Sequence, residues 1–283
     1  MKIIFYILSV LIILTSCSQK VKTNKENTDD KMDIILPKQS QCEMLASDSI
    51  MPEKSSVFLD ASGRICLLVD SVVFYIEAEN KDSIEQPMKF FNSFLPNEIC
   101  CFSDGTILFS ENTFLSQIIN EKSKILMEFP SKDFHIEKAG EKGVYVSTYD
   151  SLKKSSNLYL VNKDEMTAHK LLEDSLPIVV TGSDEITAIA LDKSVYLLHN
   201  GDSKLIFRAQ EPIKKLVFAP TGFFFATENN VGYFDPKINI IFLKKSILNM
   251  LSFNDKLYLL MKNGALYKIT HTEYFNGLSN LIH

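Results

Sequence analysis

The chain reads as an all-β protein, most simply a six-bladed β-propeller, and three observations predict it. A unit made of an apolar strand, a tight turn and a second apolar strand recurs six times after residue 50. The turn markers recur about every 38 residues, near the period of a four-stranded propeller blade. No stretch carries the 3.6-residue apolar period of a long helix.

The six strand pairs follow in order. Val57-Phe58-Leu59 leads through Ser62-Gly63 to Ile65–Leu68, and Ile99–Phe102 leads through Asp104-Gly105 to Ile107–Phe109. Phe134–Ile136 leads through a longer turn ending at Gly143 to Val144–Val146. Ile178–Val180 leads through Ser183-Asp184 to Ile186–Leu191. Leu216–Phe218 leads through Thr221-Gly222 to Phe223–Phe225, and Met250-Leu251 leads through Asn254-Asp255 to Leu257–Met261. Gly, Asp and Asn recur at these turns because hairpins need positive φ or a side chain that caps its own backbone.

A third strand is predicted at 72–76, 114–119, 158–161, 195–198, 231–234 and 266–269, and a fourth at 125–129, 204–207 and 238–243. The second strands are apolar at consecutive positions, as in Phe223-Phe224-Phe225-Ala226. Both sheet faces must then be covered, as when each blade packs between two neighbours, whereas a sandwich would alternate apolar and polar residues. Either Ile34–Leu36 or Glu43–Leu45 is expected to close the ring as an outer strand of the last blade. The alternative is a seventh blade built from residues 32–50 and the tail 270–283.

The N-terminus carries an address. Lys2 precedes a twelve-residue apolar run, Ile3–Leu14, too short for a membrane span of about 20 residues. Leu14-Thr15-Ser16-Cys17 closes the run. This segment resembles the lipobox of bacterial lipoproteins, which implies cleavage after residue 16, acylation of Cys17 and anchoring in a cell envelope. Two acyl chains suffice for stable anchoring. Ser18 stands where the family's inner-membrane retention acid would be, which points to the outer membrane. Residues 17–33 contain almost no apolar side chains and read as a disordered tether spanning about 20 to 24 Å. The domain then runs from 34 to 283.

Within that domain, Gly222–Thr227 with Gly232-Tyr233-Phe234 is similar to repeat units of bacterial periplasmic propellers of the NHL and regulator type. That resemblance also implies a propeller.

Composition excludes some partners. The net charge is −5 and arginine occurs only at Arg64 and Arg208, so a phosphate backbone is a poor partner and nucleic acid is not expected. Four cysteines remain beside Cys17. Cys100 and Cys101 are adjacent in one strand and must face opposite ways, and a Cys66–Cys101 bridge between neighbouring blades is an open alternative to free thiols.

No nucleophile elbow, phosphate loop, dinucleotide glycine pattern or metal-ligand spacing is found, and the five histidines form no cluster. His271 and Glu273 share one strand face but read more simply as edge-strand residues. The expectation is therefore a non-catalytic, membrane-tethered binding module without a cofactor, holding a protein, peptide or glycan. A structural subunit of an envelope assembly is a further alternative.

One constellation could bind a ligand. The predicted turns between second and third strands carry Asp70, Glu111, Asn112, Asp150, Asp192, Glu228, Asn229, Asn230 and Asn263. Such turns face one mouth of a propeller channel, and a ring of carboxylates and amides suits Ca²⁺ or a sugar. Six-bladed lactonases hold Ca²⁺ with residues of these types, and likeness to them implies a Ca²⁺-dependent hydrolase as the enzymatic alternative. The simpler account is that Asp and Asn favour turns for backbone reasons. The longer loop Tyr149–Asn157 breaks the repeat and is the expected place for a specific contact.

Overall fold

A computed structural model describes residues 33–34, 42–46, 55–69, 72–76, 96–119, 122–129, 131, 133–199, 202–219, 221–235, 239–253 and 256–270. Cys17, the apolar leader, Asp70, His271 and Glu273 lie outside them. Among the described residues every regular element is a strand. The chain opens with β1 (Asp33–Ile34) and β2 (Cys42–Ala46), which join blades formed much later in the sequence.

The first blade holds β3 (Ser55–Leu59), β4 (Ile65–Val69) and β5 (Val72–Ile76). The second holds β6 (Glu98–Cys101), β7 (Ile107–Glu111), β8 (Phe114–Ile119) and β9 (Lys122–Glu128). The third holds β10 (Asp133–Lys138), β11 (Gly143–Asp150), β12 (Ser155–Asn162) and β13 (Ala168–Asp174). The fourth holds β14 (Ile178–Gly182), β15 (Thr187–Leu191), β16 (Ser194–His199) and β17 (Asp202–Arg208). The fifth holds β18 (Lys215–Phe218), β19 (Phe223–Ala226), β20 (Val231–Phe234) and β21 (Asn239–Leu243). The sixth holds β22 (Ile247–Phe253), β23 (Lys256–Met261) and β24 (Leu266–Thr270).

These are six antiparallel blades of a β-propeller. Closure comes from β2, which pairs antiparallel with β24 in the register Glu43 to Lys268 and Met44 to Tyr267. Of the two closing segments expected, the one around Met44 takes the place. Ile34 goes elsewhere: β1 lies parallel to β21 in the fifth blade. With β2 filling the fourth position of the sixth blade, the ring closes at six.

The physical glue is one apolar cluster between each pair of neighbouring blades. Phe58, Cys66 and Leu68 of the first blade meet Ile99, Cys101 and Phe109 of the second. Cys100, Phe102 and Leu108 meet Phe134, Ile136 and Val144 of the third. Tyr145 and Leu158 meet Val180 and Ile189 of the fourth. Phe207 and Val195 meet Phe223, Phe225 and Phe234 of the fifth. Phe224 and Tyr233 meet Leu257 and Leu259 of the sixth. Val57 and Leu67 meet Tyr258 and Leu260, which returns the circle to its start.

Consecutive apolar residues on β19 therefore serve two interfaces by turns, with Phe223 and Phe225 facing back and Phe224 and Ala226 facing forward. Cys100 and Cys101 divide in the same way. Cys66 and Cys101 do share a cluster, but both thiols are free, so the bridge does not form.

Two local expectations meet different fates. The first-to-second turns use the predicted chemistry: Asp60 Oδ1 accepts the N–H groups of Ser62 and Arg64 at 2.8 and 2.9 Å, and Gly63 and Gly105 adopt φ of 75° and 86°. The long loop of the third blade is shorter than expected. β11 continues to Asp150, which pairs with Ser155, because the polar residues of this hairpin extend the ladder rather than end it.

Phe234 is buried in the cluster between the fourth and fifth blades. Its side chain stacks on Phe207 at 4.1 Å and on Phe223 at 5.1 Å. Truncating such a buried aromatic costs about 3–5 kcal/mol. Phe234→Ala should lower the unfolding free energy by that amount in a denaturant titration, with the fourth and fifth blades losing hydrogen-exchange protection first.

Candidate functional site

The innermost strands β3, β6, β10, β14, β18 and β22 surround a central channel whose cavity measures about 680 Å³. That volume is within the range of small-molecule sites. Each of these strands is a sheet edge, so alternate N–H and C=O groups and the side chains beside them face the lumen instead of a neighbouring strand. All six start at one face, the one that also carries the second-to-third-strand turns.

Glu98, Asp133 and Lys215 stand at those starts, and His135 and Glu137 follow two and four residues further along β10. On β10, Phe134 and Ile136 are buried against the second blade, and the alternate positions place Asp133, His135 and Glu137 along the channel. Glu98 begins β6 and Lys215 begins β18. Glu98 organises the group. Its Oε1 lies 3.1 Å from His135 Nδ1, and its Oε2 accepts the Ile136 N–H at 2.6 Å, which satisfies an inner-edge donor. Its backbone N–H donates to Ser110 Oγ at 3.2 Å.

Lys215 Nζ reaches Glu98 Oε1 at 3.8 Å from the fifth blade, diametrically across the ring from the second. On the far side of the imidazole, His135 Nε2 lies 3.3 Å from Asp133 Oδ1. Both ring nitrogens thus face carboxylates, an arrangement that requires both to carry protons.

The titration behaviour follows. Hydrogen bonds first to Asp133 and then to Glu98 push His135 up to about 9. Burial by itself would raise Glu98, but His135, Lys215 and the Ile136 N–H outweigh it and hold that carboxyl low. The hydrogen bond from His135 also lowers Asp133. Glu137 goes the other way. Burial raises it to about 8, with the Glu98 charge adding to the rise and Lys215 opposing it. The channel therefore holds an imidazolium and an un-ionised carboxyl at neutral pH, although 59% of the His135 side chain remains open to the lumen.

The residues expected from the sequence lie on the same face, in the turns and at strand ends rather than in the channel lining. Asn112 and Asp192 occupy turn positions with φ of 53° and 55°. Asp150 Oδ1 accepts the N–H groups of Leu152 and Lys153 at 3.0 and 3.1 Å, and Asn263 Oδ1 accepts that of Ala265 at 3.2 Å. Glu228 pairs with Lys262 at 2.5 Å, and Asn230 Nδ2 donates to Glu211 Oε2 at 3.1 Å. Glu111 ends β7, and Asn229 lies in the turn before β20. Asp70 is outside the described residues. None of the others lines the channel cavity. Among the described residues no group of three or more His, Cys, Asp or Glu is placed to hold a metal ion.

Sequence reasoning missed Glu98, Asp133, His135, Glu137 and Lys215. The available signal was Asp-x-His-x-Glu at 133, 135 and 137, three polar residues at alternate positions of a predicted first strand.

The architecture has solved counterparts. A gluconolactonase from Xanthomonas campestris superposes with a TM-score of 0.61 at 7% identity, covering 81% of this chain and 88% of that one. A putative gluconolactonase gives 0.58 at 9%, covering 83% and 93%. Virginiamycin B lyase from Staphylococcus aureus gives 0.54 at 12%, covering 76% and 79%. At these identities the likeness shows the fold alone. No protein-family model and no curated protein matches the chain.

The comparison corrects one expectation. Lack of a local catalytic motif suggested a domain without catalysis. Proteins of this same fold include a lyase and gluconolactonases, and a propeller can assemble reacting groups from different blades. Motif absence therefore does not exclude an enzyme here.

A pH dependence follows from His135 and Glu137. Both groups are raised in the folded state, so each favours folding below its unfolded value and loses that contribution as pH rises through its folded one. The window runs from about 4.5 to 8 for Glu137 and from about 6.5 to 9 for His135. The melting temperature should fall by several degrees between pH 6 and pH 9, and Glu137→Gln should flatten the lower part of that fall in a calorimetric series.

Proposed function

We propose that this chain is a lipid-anchored propeller of a bacterial cell envelope that holds a small organic ligand in the mouth of its channel and presents two proton donors to it. The observation that carries the ligand site is that His135 and Glu137, on one face of β10 and both raised above their ordinary values, line a cavity of about 680 Å³. Titratable groups perturbed by burial and by specific partners inside a cleft are what a binding or acid–base site requires. The expected protein, peptide or glycan partner narrows to a ligand that fits this volume. The anchor rests on Leu14–Cys17, and the polar segment after it serves as a leash. Ser18 favours the outer membrane.

Two measurements test the two halves. Cys17→Ala should move the protein from the membrane fraction to the soluble fraction, and tight retention of the variant would remove the lipid anchor. For the channel, Pro177→Cys places a thiol on an exposed lining position at the start of β14. The native Cys66 and Cys101 thiols are pushed up to about 12, chiefly by burial, and react slowly. A bulky maleimide adduct at 177 should abolish the small-molecule binding that ligand-observed NMR detects with the unlabelled protein and with wild type treated alike. Binding that survives the adduct would place the ligand outside the channel.

A further inference from the structure

The channel mouth holds more cationic capacity than its carboxylates consume. Glu98 has its closest contacts at 3.1 Å with His135 and 2.6 Å with the Ile136 N–H, so the 3.8 Å approach of Lys215 is its loosest. Lys138 is committed to Glu141 at 2.5 Å and does not compete. Lys214, next to Lys215, is exposed and makes no ion pair among the described residues. Glu137 shares the cavity lining with these lysines and feels the charge of Lys215, and its carboxyl, while un-ionised, is a donor as well as an acceptor. Lys214, Lys215 and the His135 imidazolium thus stand against two ionised carboxylates, Glu98 and Asp133. One positive charge is left over, above walls of Ile178, Val180 and Leu216.

We propose that the mouth is a site for a small organic monoanion, a carboxylate on an apolar body, whose oxygens draw Lys215 away from Glu98 and accept a hydrogen bond from Glu137. This deepens the channel-ligand reading and rests on it. Loss of Lys215 costs Glu98 little, because the His135 and Ile136 contacts remain. The charge excess of one selects a monoanion over a dianion.

Alkaline pH reverses the excess. Ionising Glu137 and deprotonating His135 take the mouth from one positive charge to one negative. The charged or titratable groups that line the cavity with Glu137 are Glu98, Cys100 and Cys101 of β6, its own strand's Asp133, His135 and Lys138, Tyr149 of β11, Lys214 just before β18 and Lys215 on it. The lining residues of β3, β14 and β22 are uncharged.

The test is calorimetric titration of the full chain in detergent with benzoate, its neutral isostere benzamide, and inorganic phosphate. Benzoate should bind saturably at pH 7, at least tenfold tighter than benzamide and tighter than phosphate. The affinity should drop at least tenfold at pH 9.5 and in Lys215→Met, while Lys215→Arg retains it. Lys214→Met gives the same reading if Lys215→Met does not fold. Equal binding of benzoate and benzamide, tighter phosphate binding, or indifference to the lysine changes would overturn the proposal, as would no benzoate binding. Benzamide binding that the adduct at position 177 abolishes would leave the channel reading standing while this one falls. Benzoate binding that survives the adduct would remove both.

Discussion

The structure depends on six blade-to-blade interfaces forming a closed circle. Each blade is a sheet with two greasy faces, and neither face can be left to water. The apolar area buried at one interface, at about 25 cal/mol per Å², stabilises only if the blade beyond is also in place. The last of these interfaces, Val57 and Leu67 against Tyr258 and Leu260, joins residues about 200 positions apart and carries the largest loop-closure cost. Asn249 Nδ2 donates to Ser56 Oγ across the same seam at 3.0 Å. β2 completes the sixth blade from the other end of the chain, so the early sequence is captured only after the late sequence has formed.

That architecture dictates where chemistry can sit. Residues on the two middle strands are claimed by packing, which is why β4, β7, β15, β19 and β23 read almost wholly apolar. The outer strands β9, β13 and β17 are largely exposed and polar, whereas β21, alongside which β1 pairs, is apolar and buried. Only the inner strands have an open edge beside an enclosed space. A polar side chain there is partly desolvated, sees residues from several blades, and has unpaired backbone groups within reach. Glu98 shows all three conditions, taking one contact from an N–H of the third blade, one from an imidazole and one from a lysine across the diameter.

The fold was legible because packing writes a local pattern. Phe223–Ala226 announces cover on both faces, and the Gly and Asp turn markers recur with the blade period. The grouping in the channel was not legible, because it is set by ring position. Glu98 and Lys215 are 117 residues apart and meet only because three blades on from the second lies the opposite wall of a six-bladed ring. A seventh blade would have offset them. The acidic turns attracted attention for the opposite reason: Asp150 and Asn263 are conspicuous in sequence but give their Oδ1 atoms to their own backbone.

A grouping of ionised side chains in a cavity is not an economical way to hold a propeller together. Apolar plugs of the same volume often stabilise a buried site as well or better. Part of the group does have a structural task, since Glu98 satisfies an inner-edge donor and His135 bridges two carboxylates. Glu137 and the Lys214–Lys215 pair do not share that task. Glu137 is held un-ionised by burial next to another acid, and Lys215 stretches across the lumen for a contact that Glu98 does not need. Local rules elsewhere in the chain are obeyed almost everywhere, from turn chemistry to strand patterning. The departure in the channel, titratable side chains gathered beside an enclosed space, marks a place where folding alone does not account for the residues.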